Sequence, residues 1–138
     1  MPLQVKAKFT PRGDMGRFVE THVTPAVRMA VQESAELIEQ RAKELCPVDT
    51  GALQESITTT LVDGHKTVMA FVGSDLHYAP YVEFGTGIAG ASSPGAGKGP
   101  YSPTWPGMRA QPYLRPALDE SKEPIKQIFA NDLQVGLK

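Results

Sequence analysis

The feature that most constrains the fold is a long amphipathic pattern in the first third of the chain. Between Gly16 and Leu45, apolar residues recur at steps of three and four, with charged and amide side chains between them. The apolar positions are Val19, Val23, Val27, Val31, Ala35, Ile38, Ala42 and Leu45. Proline lacks the amide that a helix interior needs, so we expect the regular helix to begin with Thr24 as N-cap and Pro25 in the first position. The pattern predicts one long helix with a charged outer side.

Length and composition predict a single domain and exclude several classes of protein. The chain has 138 residues, of which 41% are hydrophobic and 21% charged, and such a chain can bury one ordinary core. We therefore predict a single domain over residues 1–138, with an N-terminal arm at 1–23. The formal net charge of -1 gives no bulk electrostatic reason to expect nucleic acid or an anionic membrane as partner. The sequence shows no apolar leader and no long apolar run, so we expect that the protein is neither exported nor membrane-spanning. We expect it to fold in a cytoplasm.

The middle of the chain predicts a β-hairpin. Two runs rich in β-branched residues, "SITTTLV" and "KTVMAFVG", flank the dipeptide Asp63-Gly64. Glycine accepts the positive φ that tight hairpin turns require, so this dipeptide is a strong turn signal. The next segment, "HYAPYVEFGTG", stays ambiguous, because Pro80 is compatible both with opening a short helix and with interrupting a strand.

The rest of the chain divides into a loop and a second helix. From Gly85 to Gly107 the sequence is dominated by Gly, Pro, Ser and Ala without periodicity, which predicts a long flexible loop. Loops of this length inside a compact domain are uncommon unless they are functional or disordered. After the loop, apolar residues near helical spacing predict a C-terminal helix with Pro116 in its first turn and a kink or break at Pro124. The predicted class is α+β, with both long helices packed on a small antiparallel sheet.

The tripeptide Asp49-Thr50-Gly51 matches the active-site signature of aspartic peptidases. In those enzymes the turn ends an apolar strand, and two such turns bring two carboxylates together. Here the tripeptide follows a helix and Pro47, and no later apolar strand leads into a second glycine turn. A structural turn is therefore favoured, in which Asp49 or Thr50 accepts hydrogen bonds from free amides of the next turn. A dimeric aspartic peptidase using Asp49 stays as the enzyme alternative.

No other motif indicates catalysis or a cofactor. The three histidines are spread over separate elements without metal-ligand spacing, and Cys46 has no second cysteine to pair with. The segment "GAGKG" around Lys98 lacks the first glycine and the final Ser or Thr of a phosphate-binding loop. Glu83 lies among aromatic residues. A structural role for its carboxylate, paired with Arg109 or Arg115, is more plausible than a role as a catalytic acid or base. We expect no enzyme, no metal and no cofactor.

Three motifs in a fixed order resemble a family of tailed-phage proteins. These are "CPVDTGALQESI", "YAPYVEFGTG" and, after the Gly/Pro-rich loop, "MRAQPYLRPALDE". Together they resemble the small neck and tail-completion proteins of lambdoid siphophages, often described as head-tail or minor tail components. The resemblance runs from about Val27 to the C-terminus. Two departures are Gln54, where a basic residue is usual, and Tyr113, where Phe is common.

The resemblance implies a structural virion protein that joins head and tail. Such a subunit forms a homo-oligomeric ring of six copies in the virion, between the head connector and the tail tube. We expect the isolated subunit to be a monomer, because part of its contact surface is disordered until neighbouring copies order it. Its implied partners are the head-completion or connector protein and the tail-terminator or tail-tube protein. DNA would pass through the lumen of the ring without sequence-specific contact, and no membrane partner is implied. The implied location is the virion, assembled in the bacterial cytoplasm. A tail terminator or another minor tail protein is the alternative.

Function would then lie in interfaces. Aromatic residues in loops are natural anchors once they are buried between subunits. The predicted contact residues are Tyr81, Glu83, Phe84, Tyr101, Trp105 and Arg109. The resemblance assigns Pro47, Asp49, Thr50 and Gly51 to a structural turn after the long helix.

Overall fold

The computed structural model describes residues 3–8, 23–64, 67–86 and 107–136. In chain order, the elements are β1 (Leu3–Lys8), α1 (Thr24–Leu45), α2 (Ala52–Ser56), β2 (Thr58–Asp63), β3 (Thr67–Gly73), α3 (Ala79–Phe84) and α4 (Leu114–Gly136). This is the predicted α+β class, with two long helices and a small antiparallel sheet. Of the predicted loop Gly85–Gly107, residues 87–106 lie outside the described part of the chain.

Helix α1 forms the centre of the fold, as its amphipathic pattern predicts. Its apolar face is buried against the sheet on one side and α4 on the other. The buried α1 residues of the core are Val27, Val31, Ala35, Ile38 and Ala42. The predicted cap is wrong by one residue, because the N-cap is Val23 and Thr24 already belongs to the helix. Pro25 still lies within the first two helical positions, where its missing amide costs no hydrogen bond.

The sheet has the strand order β1-β3-β2, and both pairs are antiparallel. In β3, burial alternates so that Val68, Ala70 and Val72 face the core. The predicted hairpin of β2 and β3 is confirmed, but Gly64 does not supply a positive φ. Its amide instead donates to the Thr67 carbonyl at 2.7 Å, which continues the pairing of β2 and β3 by one residue. A Cβ at Gly64 would lie 2.5 Å from Thr67 Oγ1, so a larger residue at this position would require the Thr67 side chain to move.

Strand β1 was not identified from the sequence. It pairs along its whole length with β3, from Leu3 opposite Val72 to Lys8 opposite Thr67, within the segment expected to be an N-terminal arm. The signal is weak because "LQVKAK" is short and has only one β-branched residue. This strand makes β3 the central strand of the sheet.

Helix α4 packs along α1 and contacts the sheet mainly through β1. Its buried residues are Leu114, Ala117 and Ser121, and Leu118, Ile125, Phe129 and Leu133 pack partly buried against the core. Pro124 lies inside the helix and does not divide it. Because Pro124 is exposed, the carbonyl that loses its intrahelical donor can be hydrated.

A polar contact ties the outer side of α1 to the edge of the sheet. The Glu39 carboxylate accepts hydrogen bonds from Lys43 Nζ at 2.7 Å and from Thr59 Oγ1 at 2.6 Å. Partial burial opposes ionisation of Glu39, but these hydrogen bonds outweigh it and lower the pKa of the carboxyl below its ordinary value. The contact holds β2 against α1.

Candidate functional site

The three sequence motifs meet at the C-terminal end of α1. The first motif supplies the turn after α1 and the short helix α2, the second supplies α3, and the third leads into α4. The ambiguous segment around Pro80 is helical, with this proline in the first turn of α3. Hydrogen bonds join the second motif to the third, and the first motif lines a common groove with both, so the three motifs form one structural unit.

The centre of this unit is the carboxylate of Glu83, which is only 5% exposed. Glu83 Oε2 accepts hydrogen bonds from the amides of Tyr113 at 2.8 Å and Leu114 at 3.0 Å, and Oε1 accepts one from Arg115 at 3.1 Å. The sequence predicted that the side chain of Arg109 or Arg115 would pair with Glu83. In the structure, the Glu83 carboxylate instead accepts hydrogen bonds from main-chain amides. Glu83 thus caps the N-terminus of α4 from a distant part of the chain.

With this cap in place, every amide donor of the first turn of α4 has an acceptor. The first amides of a helix have no intrahelical acceptor and need partners from elsewhere. Glu83 takes three of them, Pro116 has no amide to satisfy, and the Ala117 amide donates to the Tyr113 carbonyl at 3.4 Å. A negative charge at this position also interacts favourably with the helix dipole.

Main-chain hydrogen bonds close the base of the segment that joins α3 to α4. The amides of Thr86 and Met108 each donate to the other's carbonyl, at 2.9 and 3.1 Å, and the Gln111 amide donates to the Val82 carbonyl at 2.8 Å. The Met108 amide also contacts Thr86 Oγ1 at 2.9 Å. We call the Thr86–Met108 pair the clasp. Gly85 and Gly107 beside it adopt φ of 73° and 67°, a region that favours glycine.

The turn after α1 is built by Thr50 and Gly51. Thr50 Oγ1 accepts a hydrogen bond from the Ala52 amide at 3.3 Å, and Gly51 is the N-cap of α2 with φ of 86°. Of the two capping residues that the sequence left open, the structure uses Thr50. Asp49 is exposed and has no hydrogen bond with any described residue. The tripeptide follows a helix and starts another, so it lacks the strand that precedes the catalytic turn of an aspartic peptidase.

A groove of about 540 Å³ lies between this turn and the start of the third motif. Apolar side chains form most of its lining, and the rim includes Val48, which is 59% exposed, and Met108, which is 37% exposed. The lining residues are Pro47, Val48, Asp49, Thr50, Gly51, Leu53, Tyr78, Val82, Met108 and Gln111. Its size and mixed lining suit a protruding side chain or a short peptide.

Two titratable groups beneath the groove are kept neutral by their surroundings. Burial and, to a lesser extent, the charge of Glu83 raise the pKa of both the Cys46 thiol and the Tyr113 phenol. Tyr113 is fully buried, and its hydroxyl has no hydrogen-bond partner among the described residues. These groups belong to the core and do not reach the groove surface.

The predicted contact residues have different positions. Tyr81 is 43% exposed on α3, Arg109 is exposed beside Met108, and Phe84 is half-buried. Tyr101 and Trp105 lie outside the described residues. Glu83 has an internal role, because its carboxylate is saturated by amides of the same chain. The groove residues Met108 and Gln111 were not predicted, since only the fold brings them to the turn.

Within the described residues, no group of three or more His, Cys, Asp or Glu side chains is placed to hold a metal ion. In the same part of the chain, no helix is both long and apolar enough to cross a bilayer.

The comparisons with known proteins assign this small α+β subunit to a family. A family model described as "Bacteriophage HK97-gp10, putative tail-component" matches residues 9–85, more than half of the chain. The chain belongs to this HK97 gp10-like family of phage tail components, and the resemblance found from the sequence is confirmed. Comparison with curated proteins and comparison with solved structures each find no match.

Proposed function

We propose that the protein is a head-tail joining component of a tailed phage, which forms a ring of six copies between the head connector and the tail tube. The observation that carries this proposal is the family match over the long helix, the turn, the hairpin and α3. The order of all three motifs supports the finer role, since it resembles that of tail-completion proteins. Six copies would follow the six-fold symmetry of siphophage tail tubes.

The geometry of the motifs supports a function in binding other proteins. Glu83 and the clasp hold α3 and α4 together, so the main chain on both sides of residues 87–106 is fixed to the core. The fixed framework can present the groove and residues 87–106, including Tyr101 and Trp105, to neighbouring proteins without rearrangement of the core. The protein acts by such contacts and catalyses no reaction.

Deletion of the gene from the encoding phage tests this function. A joining protein is needed after head and tail are each built, so the mutant should accumulate DNA-filled or fillable heads beside separate tails of normal length. Electron microscopy of the lysate and plaque counts would measure this, with wild-type protein supplied in trans as the control. Intact infectious particles without the protein, or protein found in infected-cell cytosol and never in virions, would refute the proposal.

The same images separate the two alternatives. Loss of a tail terminator leaves elongation of the tube unchecked, so overlong tails would indicate that role. The peptidase alternative predicts that Asp49→Asn abolishes complementation. We expect Asp49→Asn to restore infectious particles at the wild-type level, because Asp49 is an exposed turn residue.

A further inference from the structure

The β2 edge of the sheet carries main-chain groups that no described strand pairs. In an antiparallel pair, residues alternate between those that exchange main-chain hydrogen bonds with the partner and those whose amide and carbonyl point away from it. The Gly64 amide donates to the Thr67 carbonyl at 2.7 Å in a pair that continues the register of β2 with β3. Counting back from Gly64, the β2 residues that bond to β3 are Thr58, Thr60 and Val62. The β2 residues whose main chain points away from β3 are therefore Thr59, Leu61 and Asp63.

The β1 edge has the same pattern on the opposite side of the sheet. Since Met69 and Phe71 of β3 bond to β2, the residues on either side of each bond to β1. Their partners on β1 are Leu3, Val5 and Ala7. The β1 residues whose main chain points away from β3 are therefore Gln4, Lys6 and Lys8. Each edge thus offers three residues, spaced two apart, on a strand of six residues.

The β2 edge lacks the features that usually prevent strand pairing between proteins. Exposed edges are commonly protected by lysines, prolines or bulges. Strand β2 reads TTTLVD, without a cation or proline, and pairs with β3 residue for residue. Val62 is 40% exposed, and among the described residues no main-chain hydrogen bond from another element reaches Leu61 or Asp63.

One group of this edge is already used. Glu39 of α1 accepts from Thr59 Oγ1 at 2.6 Å and from the Thr59 amide. The Thr59 carbonyl and both main-chain groups of Leu61 and Asp63 are available to another strand. The ligand that fits such a row of donors and acceptors is an extended polypeptide.

We propose that the β2 edge of one copy pairs with the β1 edge of the next copy, which extends the sheet around the ring. This inference rests on the proposed ring of six copies and names its subunit contact. The two edges lie on opposite sides of one sheet, so they are the two different surfaces that a head-to-tail contact needs. Closure of the ring leaves neither edge unpaired.

The symmetry of the ring fixes the direction of this pairing. Strands β1 and β2 both run antiparallel to β3, so they are parallel to each other within a copy. Rotation by one sixth of a turn cannot reverse a strand, so β2 and the β1 of the next copy are parallel as well. Pairing of like edges would instead use a two-fold axis and join copies in pairs. The two lysines of β1 disfavour pairing of two β1 edges, because like charges repel.

Cysteine cross-linking in particles tests the contact. Gln4 of β1 and Thr60 of β2 both lie opposite Phe71, on either side of β3, and both are exposed. With β3 between them, their Cα atoms within one copy are about 9.5 Å apart, whereas a disulfide spans at most roughly 7 Å. A disulfide in the Gln4→Cys, Thr60→Cys variant therefore forms only between copies. Because a closed sheet staggers its strands, Gln4→Cys is also combined with Thr58→Cys and with Val62→Cys.

The expected result is a ladder of covalent multimers, up to six copies, for one of the three pairs. Phage lacking the gene is complemented with each variant, and purified particles are oxidised with copper phenanthroline and run on denaturing gels with and without a thiol. The four single-cysteine variants are the controls and should stay monomeric, although all contain the buried Cys46. Monomers from all three pairs would refute the contact. Dimers from a single cysteine on β2 would show pairing of like edges instead.

A lysine on the β2 edge is a second test. Natural edge strands are protected from pairing by lysine, so Val62→Lys should lower the copy number per virion and the yield of joined particles by about tenfold. Val135→Lys is the matched control, because Val135 is 70% exposed on α4, and it should behave as wild type. Thermal unfolding of the purified proteins checks that they fold. An unfolded Val62→Lys variant is replaced by Thr60→Lys, at the next exposed position of the strand.

The outcomes separate this contact from the joining role. If wild-type protein restores joined particles, no cysteine pair gives a ladder and Val62→Lys matches Val135→Lys, the contact is wrong and the joining role stands. Where the two tests disagree, the ladder decides, because only a cross-link identifies the partner strand. Failure of the wild-type protein to restore particles would refute the joining role and, with it, this contact.

Discussion

The carboxylate of Glu83 accepts a hydrogen bond from the main-chain amide of Tyr113 at 2.8 Å, thirty residues further along the chain. Together with the Leu114 and Arg115 amides, this contact caps α4 with a side chain from α3. A cap from another element fixes the position of α4 relative to α3 as well as its starting residue. The stability of this end of the molecule therefore depends on one buried carboxylate.

Replacement of Glu83 by Ala should lower the free energy of unfolding by about 2–4 kcal/mol, because three amides lose a charged acceptor in a buried place. Gln keeps the size and one acceptor oxygen but loses the charge, so Glu83→Gln should cost about 1–2 kcal/mol. Urea denaturation followed by circular dichroism would measure both. The exposed Glu123→Gln is the control and should change stability by less than about 0.5 kcal/mol. Equal stability of the Ala variant and wild type would contradict the capping role.

Removal of the Tyr113 hydroxyl should be tolerated at neutral pH. The group is buried without a partner among the described residues, so Tyr113→Phe should leave stability unchanged within about 0.5 kcal/mol or raise it. In contrast, Tyr113→Ala should cost about 3–5 kcal/mol through the cavity it leaves. Thermal unfolding of the three proteins would test this. A marked loss in the Phe variant would show that the hydroxyl has a partner in solution.

The same tyrosine predicts a loss of stability in alkali. Burial raises the pKa of Tyr113, so the folded protein keeps the proton that an unfolded tyrosine releases near pH 10. Above about pH 10 the unfolded state binds fewer protons than the folded state, and stability falls as pH rises. Urea midpoints measured from pH 8 to pH 11 should decline less steeply in Tyr113→Phe than in wild type. Parallel declines would refute this assignment.

The turn after α1 should depend on Thr50 and Gly51 and little on Asp49. Gly51→Ala places a Cβ at φ of 86° and should cost about 1–2 kcal/mol. Thr50→Ala removes the acceptor for the Ala52 amide and should cost about 0.5–1 kcal/mol. Asp49→Ala, with no hydrogen bond to lose among the described residues, should cost less than about 0.5 kcal/mol. The order of the three urea midpoints would check this; Asp49→Ala as the most damaging change would reverse it.

Cys46 should react slowly with thiol reagents in the folded protein. It is buried, and burial followed by the charge of Glu83 raises its pKa, so little reactive thiolate is present at pH 7 to 8. Labelling with a disulfide reagent should be at least tenfold slower than in protein unfolded by guanidinium. Equal rates in the two states would show that the thiol is accessible.

The sequence predicted those parts of the fold that local patterns determine. The steps of three and four from Val27 to Ala42 required a helix, and the β-branched runs on either side of Asp63-Gly64 required a hairpin. The cap of α4 could not be read in this way, because its donors and acceptor are separated by thirty residues. One signal was available: no Ser, Thr, Asp or Asn stands among residues 111–113, so α4 had no local cap.

The groove was beyond sequence reasoning for a similar reason. Its lining combines the turn at Pro47 with Tyr78 and Met108, which no periodicity relates. Tyr81 and Arg109, which flank the long loop, were predicted as contact residues, and their exposure is compatible with that role without testing it. Glu83 was chosen by the same reasoning, although its surroundings make it an internal support.

The clasp between Thr86 and Met108 makes the fold of the subunit independent of the length and sequence of residues 87–106. Because the main chain is joined on both sides of this stretch, a longer or shorter insert need only bridge two fixed neighbouring points. The entropy of closing such a bridge grows slowly, by about 0.6 kcal/mol for each doubling of length. Relatives of this chain could therefore exchange the whole stretch while keeping α3 and α4 unchanged. An epitope or a binding peptide inserted there would be carried into the particle by a subunit that still folds.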